Sequence, residues 1–265
     1  MGRGMKEWLS IARMALQFFT IFPAAKTVEW TERRAARTIL CLPFIGLGIA
    51  GLLFLFSFAF VNIFASTAVV ALFIVLAGIG LTGGLHLDGW MDVSDAYFSR
   101  REREKKLAIL SDPHIGSFAV LSLLILLAIR WSSIYELLLK GSIPLHMFAI
   151  ALVLPRWTAG WFLMTGQTAK ETGLASYFQK GVTSSLKKRY ILQILLFVVF
   201  FLTVTENKLI VLCLLLAIAL FGTVYRRFIQ TQFGGITGDT IGAEIEGGET
   251  WLWVSIWLLH VFVMG

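Results

Sequence analysis

Three aspartates stand out from an otherwise apolar chain: Asp88, Asp92 and Asp95, within TGGLHLDGWMDVSDAYFS at residues 82–99. Spacings of four and three residues place them on one face of a helix. Carboxylates facing the same way repel one another, and a divalent cation is the usual neutraliser. Next to lipid, unpaired charge is costly enough that such a stripe reads as a functional site. Gly83, Gly84 and Gly89 bracket His86 and Asp88, freeing the backbone where a phosphate or metal must come close. His86 lies two residues before Asp88 and so projects to a different helical face. That suits a partner of the acids or a phosphate contact better than a metal ligand.

A second acidic segment, GGITGDTIGAEIEGGE, occupies residues 234–249. Asp239 and Glu246 are seven residues apart and share a face if the helix is unbroken, though Gly242, Gly247 and Gly248 leave its continuity open. Glu244 and Glu249 project from other faces. Two separated acidic motifs are a general solution for metal-assisted phosphoryl transfer. Between them lie Arg100, Arg101, Arg103, Lys105 and Lys106, mixed with Glu102 and Glu104. These cations suit diphosphate oxygens, and they equally suit the basic flank of a membrane protein. Asp112 and His114, in SDPHIGSF, either close the same pocket or cap the next helix. Arg156, in LVLPRWTAGW, stands inside an apolar run and needs a polar cavity, a phosphate or a carboxylate. There is no Ser–His–Asp order, phosphate-binding loop or Cys/His metal spacing, so direct displacement is favoured over a covalent nucleophile. Cys41 and Cys213 sit in apolar runs and read as packing residues.

The elements that must hold these residues are membrane helices. The chain is 57% hydrophobic and 15% charged, with mean hydropathy +0.80, too apolar for a soluble globular domain. The pattern predicts an all-α, multi-pass bundle of about seven spans, at residues 41–61, 67–81, 115–129, 144–164, 190–204, 208–224 and 250–263. The basic, then apolar N-terminus, with Arg13 in its apolar stretch, predicts a retained interfacial amphipathic helix in residues 1–40. Nearly all of the 23 Lys and Arg fall in segments on one side of these spans; Arg130, Lys140 and Lys208 go to the other, and Arg156 lies within a span. The positive-inside rule therefore puts residues 82–114 and 225–249, with both acidic motifs, on the cytoplasmic side. The net charge of +7 is then an orientation signal and gives no reason to expect nucleic acid. No linker or repeat divides the chain, so residues 1–265 read as one integral membrane domain.

These residues resemble the cobalamin synthase family, the adenosylcobinamide-GDP ribazoletransferases. The resemblance runs through FFTIFPAA, LPFIGLGIAG, the whole stretch TGGLHLDGWMDVSDAYFSRREREKKLAILSDPHIGSF, PRWTAGWFLM, AKETGLASYF and GGITGDTIGAEIEGGE. The pairing of HLDG-x-x-D-x-x-D with a distant GG-x-TGDT-x-G is highly specific. It implies a multi-pass enzyme of the bacterial cytoplasmic (inner) membrane with its active site facing the cytoplasm. It further implies that the enzyme, with Mg²⁺, joins adenosylcobinamide-GDP to α-ribazole or its 5′-phosphate and releases GMP. The lipid bilayer is its setting, and assembly with further copies is compatible with it. Carried over, the resemblance lands on Asp88, Asp92 and Asp95 as metal ligands and on Asp88, Asp239 and His86 as catalytic groups. Arg101, Arg103, Asp112, Arg156, Thr240 and Glu246 become substrate contacts. Ala96, His114 and Glu244 depart from the family's usual residues and leave the carboxylate set intact.

Other membrane transferases that use Mg²⁺-diphosphate are the nearest rivals. A CDP-alcohol phosphotransferase needs Ala-Arg after its DG and a later aspartate pair, which DGWMDVSDAY lacks. A prenyltransferase spaces its aspartates differently and needs a long lipid channel. An ion-coupled transporter would set its charges at mid-membrane in repeated broken helices.

Overall fold

A computed structural model of the chain describes residues 3–23, 28–63 and 66–264; parts of the expected N-terminal interfacial segment, residues 1–2 and 24–27, lie outside them. Among the described residues twelve α-helices follow in order. They are α1 (Arg3–Phe19), α2 (Glu32–Thr38), α3 (Leu42–Ile63), α4 (Thr67–Thr82), α5 (Leu85–Phe98) and α6 (Arg103–Ile109), then α7 (Ser117–Leu139), α8 (Leu145–Thr165), α9 (Leu174–Lys180), α10 (Ser184–Val204), α11 (Lys208–Phe233) and α12 (Gly238–Leu259). Among the described residues no β-strand forms; a single bridge pairs Thr168 with Ile236 and ties the loop after α8 to the loop before α12. The all-α membrane architecture read from composition is the architecture observed.

Among the described residues four segments are long and apolar enough to cross a bilayer: Glu32–Val61, which contains α2 and most of α3, and the helices α7, α8 and α11. A fifth arises if α4 and α5, bent by 95° at their junction, count as one span. The remaining helices expected to cross, α10 and α12, carry more charge than a lone membrane helix tolerates. Lys187, Lys188 and Arg189 open α10, and four acids lie along α12. Outward-facing Leu192, Leu195, Leu196 and Val199 on α10, with Leu209, Leu212, Leu216 and Leu220 on α11, form apolar stripes suited to lipid.

At the centre is α8, buried along almost its whole length from Met147 to Met164 and packed between α3 and α12. Small residues let its neighbours approach, as usual where lipid removes any hydrophobic preference between helices. A Cβ added to Gly46 of α3 would stand only 2.7 Å from the Leu152 carbonyl oxygen of α8. Across α1, Ile11, Met14, Ala15 and Phe19 turn inward at helical spacing while Met5, Trp8, Leu9 and Leu16 face out, the two-sided pattern of an interfacial helix.

One expectation about the spans requires correction. The third was expected to end at residue 129, with Arg130 on the far side of the membrane. In fact α7 continues to Leu139, and Arg130 is buried in the bundle at 5% exposure. A guanidinium in an apolar run looks like a span end only while its partners are unknown, and here they are acids of α12.

Candidate active site

The break between α4 and α5 is made by Gly83 and Gly84, both left-handed at φ 66° and 75°. Residues with a Cβ avoid that conformation, so the glycines allow the sharp turn that starts α5 at Leu85. The turned helix lies against α12, with which it shares its most extensive packing. The crossing is tightest at Gly89, where a Cβ would stand 2.6 Å from the Asp239 carbonyl oxygen, and at Gly242, where it would stand 3.1 Å from that of His86. Backbone thus meets backbone, and the acids of the first motif come beside the first acid of the second.

On α5, Asp88 is exposed and Asp92 and Asp95 are half-buried, so the predicted stripe exists. The negative charges of Asp88, Asp239 and Asp95 all act on Asp92. Asp95 lies directly over Gly116, where any side chain would collide with its carboxylate. Asp239 stands in the first turn of α12, whose N-terminus favours an anion. Its Oδ2 accepts a 3.3 Å hydrogen bond from the Thr237 hydroxyl, and Lys170 acts on it electrostatically from the loop after α8. Among the described residues, no Lys or Arg forms an ion pair with Asp88, Asp92, Asp95 or Asp239. Four neighbouring carboxylates without cationic partners form the most unbalanced charge in the molecule. His86 is buried beside them, against the Phe19 ring at 6.3 Å.

The other residues singled out from sequence do different things. Thr240 completes a capping box: its hydroxyl accepts from the Thr237 amide at 2.7 Å, while its own amide donates to the Thr237 hydroxyl at 3.1 Å. Arg103 donates through Nε to the Phe233 carbonyl at 3.1 Å and so fastens α6 to the end of α11. Arg101 is exposed in the α5–α6 connection, making no ion pair among the described residues. Asp112 accepts from the His114 amide at 3.0 Å and contacts its ring nitrogen at 2.6 Å, closing a turn ahead of α7. Those hydrogen bonds hold the exposed Asp112 carboxyl below its usual range.

Arg156 and Glu246 belong to a buried ionic network. Helix α12 is unbroken, and its glycines serve packing rather than interruption. Arg130 reaches Glu246 Oε2 at 2.7 Å, Glu249 Oε1 at 3.6 Å and the Thr250 hydroxyl at 3.0 Å. Arg156 reaches the other oxygen of Glu249 at 3.6 Å and the Leu152 carbonyl at 2.7 Å. Thr158 of α8 donates to Glu244 of α12. Sequence reading gave no role to Arg130, Glu249 or Thr158. The available signal was that two arginines lie within apolar runs while α12 holds more acids than a metal site needs.

A divalent metal can be tested against this donor set. Carboxylate oxygens are hard ligands suited to Mg²⁺, and among the described residues none of the four acids is held in an ion pair. Among the described residues, no three His, Cys, Asp or Glu side chains converge as a ready-made metal cluster. Magnesium ordinarily takes one or two carboxylates and completes its octahedron with water and substrate phosphate. The donor set therefore fits a metal brought in or completed by a phosphorylated substrate.

Comparison with known proteins agrees with the geometry. Residues 11–257 match the family model for cobalamin-5-phosphate synthase. An adenosylcobinamide-GDP ribazoletransferase of Geobacillus kaustophilus is 40% identical over 272 residues, covering all of both chains. That of Geobacillus thermodenitrificans is 39% identical over 95% of this chain and 97% of its own, and that of Halalkalibacterium halodurans 37% over 98% and 99%. No solved structure matches the chain. With nearly its whole length matched, the chain belongs to the cobalamin-5-phosphate synthase family of enzymes.

Proposed function

We propose that this chain is a bacterial inner-membrane transferase that joins adenosylcobinamide-GDP to α-ribazole, or its 5′-phosphate, and releases GMP. The observation that carries this reading is the meeting of Asp88, Asp92, Asp95 and Asp239 at the α5–α12 crossing, without ion-pair partners among the described residues and beside a cavity. A diphosphate is the complementary ligand, since its charge and theirs can be neutralised together by divalent metal. Asp88, Asp92 and Asp95 would hold Mg²⁺, which supplies charge neutralisation at the diphosphate when bound.

The chain's own residues divide the remaining work. Asp88 and Asp239 face the cavity and are placed to accept the proton of the ribose 3′-hydroxyl as it attacks the cobinamide-side phosphorus. The bond from that phosphorus to the GMP oxygen breaks in line. His86, buried, lines the same cavity as Asp88 and Asp239. Exposed Arg101 is a cation open to outer phosphate oxygens, and half-buried Lys170, held by the Leu107 carbonyl and the Ser111 hydroxyl, acts on Asp239 electrostatically, whereas Arg103, Arg156, Thr240 and Glu246 act through structure. The concentration of Lys and Arg on the side bearing these acids supports a cytoplasmic active site.

Purified chain in detergent or nanodiscs, given adenosylcobinamide-GDP and α-ribazole, should yield cobalamin and GMP by mass spectrometry with Mg²⁺ and not with EDTA. Equal turnover in EDTA would remove the metal from the reading. Absence of product in both would remove the reaction.

A further inference from the structure

The cavity beside the acids has two unlike walls. One carries Asp88 and Asp239. The other is built by Phe18 and Phe19 of α1 and Phe178 of α9, with Leu174 at its rim. Phe18 and Phe19 meet edge to face at 4.8 Å, and Phe178 lies 5.7 Å and 6.4 Å from them. Trp30 braces Phe18 from outside at 5.3 Å. These separations are those of mutually supporting aromatic rings, so the wall is pre-formed rather than collapsed.

Size decides what fits. The cavity holds about 200 Å³. That is below the ~300–1,000 Å³ of pockets that enclose a whole drug-sized ligand. A corrin macrocycle carrying an adenosyl group is far too large for it. A flat, neutral, two-ring base fits, and its ribose would then emerge toward the acids. The larger cavity on the opposite side of α5, about 510 Å³ between Trp90, Tyr97, Phe118 and Phe228, has almost no polar lining. It offers no carboxylate or other charged group to a reacting hydroxyl.

We infer that the Phe18–Phe19–Phe178 wall is the acceptor subsite, holding the benzimidazole base of ribazole so that its ribose 3′-hydroxyl faces Asp88 and Asp239. The corrinoid nucleotide then approaches from the open side of the aspartate stripe. This rests on the proposed transfer reaction and adds which substrate lies where. It also gives α1 and α9, which carry no acid of the site, a part in choosing the acceptor.

The test is steady-state kinetics on the full chain, with each substrate varied at saturation of the other. Phe178→Ala should raise KM for α-ribazole roughly tenfold, the scale of one lost base–aromatic stacking contact, and leave KM for adenosylcobinamide-GDP unchanged. Leu174→Trp, at a rim position 50% exposed where the added ring meets solvent rather than core, should give the same split by narrowing the entrance. Free 5,6-dimethylbenzimidazole should compete with α-ribazole and not with the corrinoid. A rise confined to the corrinoid KM, or no change in either KM in folded variants, overturns the assignment while leaving the reaction intact. If the wild-type chain makes no cobalamin, the reaction itself fails. Binding of dimethylbenzimidazole to wild type and its weakening in Leu174→Trp then still judge the cavity: loss supports a base site, and equal binding to both removes it.

Discussion

Three of the four acids of α12 fall into two sets with opposite fates. Asp239, in the first turn, joins Asp88, Asp92 and Asp95 in a group with no ion-pair partner among the described residues. Glu246 and Glu249, two to three turns further on, are fully engaged by Arg130 and Arg156. Seven residues of helix, about 10 Å, separate Asp239 from Glu246. Over that distance the same chemical group changes from a charge awaiting a ligand to a structural fastening. Neighbours explain the difference: the first turn of α12 meets an acidic helix, whereas the next turns meet arginines from α7 and α8. Two guanidiniums and two carboxylates nearly cancel, so that set can be buried. Four neighbouring carboxylates repel one another until a cation or a proton neutralises part of their charge.

The largest effect should come from breaking the unpartnered set. Asp88→Ala should lower turnover by on the order of a thousandfold or more, since it removes transition-state charge stabilisation, with no loss of thermal stability because repulsion is relieved. A turnover within a few-fold of the parent chain would place Asp88 outside the reaction. The engaged set should respond the other way round. Arg130→Met strands Glu246 in the bundle and should cost about 3–5 kcal/mol of stability, seen as a sharp fall in melting temperature in detergent. The double variant Arg130→Met/Glu246→Leu should recover much of that loss, and turnover per folded molecule should stay within several-fold. If instead Arg130→Met abolished turnover at an unchanged melting temperature, the two sets would be one site.

A smaller effect tests the contact that joins the helices. Gly89→Ala would push a methyl group against the Asp239 carbonyl and move α5 away from α12. Overpacking of this kind costs about 1–3 kcal/mol. A displacement near 1 Å at reacting groups lowers turnover roughly a hundredfold, so activity should fall more than stability does. Equal falls would mean that the crossing only holds the fold.

The unpartnered set was legible in the sequence because its cause is local. Spacings of four and three put Asp88, Asp92 and Asp95 on one face, and Gly83-Gly84 announced the break that turns that face toward α12. The apolar runs likewise marked the helices, since membrane length and hydrophobicity are properties of a segment. The engaged set was not legible, because Arg130 and Glu246 are 116 residues apart and no spacing rule connects α7 to α12. Read alone, Arg130 resembled the end of a span, and Glu246 resembled a continuation of the Asp239 face. Thr240 was similarly misleading: beside Asp239 in a motif it looked like a substrate contact, while its hydroxyl completes the cap that starts α12.

The smallest effect concerns Asp112, which sequence reading left between pocket and cap. The carboxylate is exposed and its hydrogen bonds go to His114, within its own turn. Asp112→Asn should therefore leave both KM values and turnover unchanged and lower the melting temperature by at most a degree or two, as expected for an exposed polar contact. Its pH dependence has a definite sign. The folded-state pKa lies below the unfolded one, so the charged form is favoured by folding. That contribution is present above the unfolded pKa and disappears as pH falls through the folded one. The difference in melting temperature between the parent chain and Asp112→Asn should accordingly be visible near neutrality and vanish in acid. A difference that grew on acidification would show that the turn depends on a protonated Asp112. A raised KM for adenosylcobinamide-GDP would move Asp112 out of the local turn and into the same group as Asp88, enlarging the set of acids that wait for a ligand.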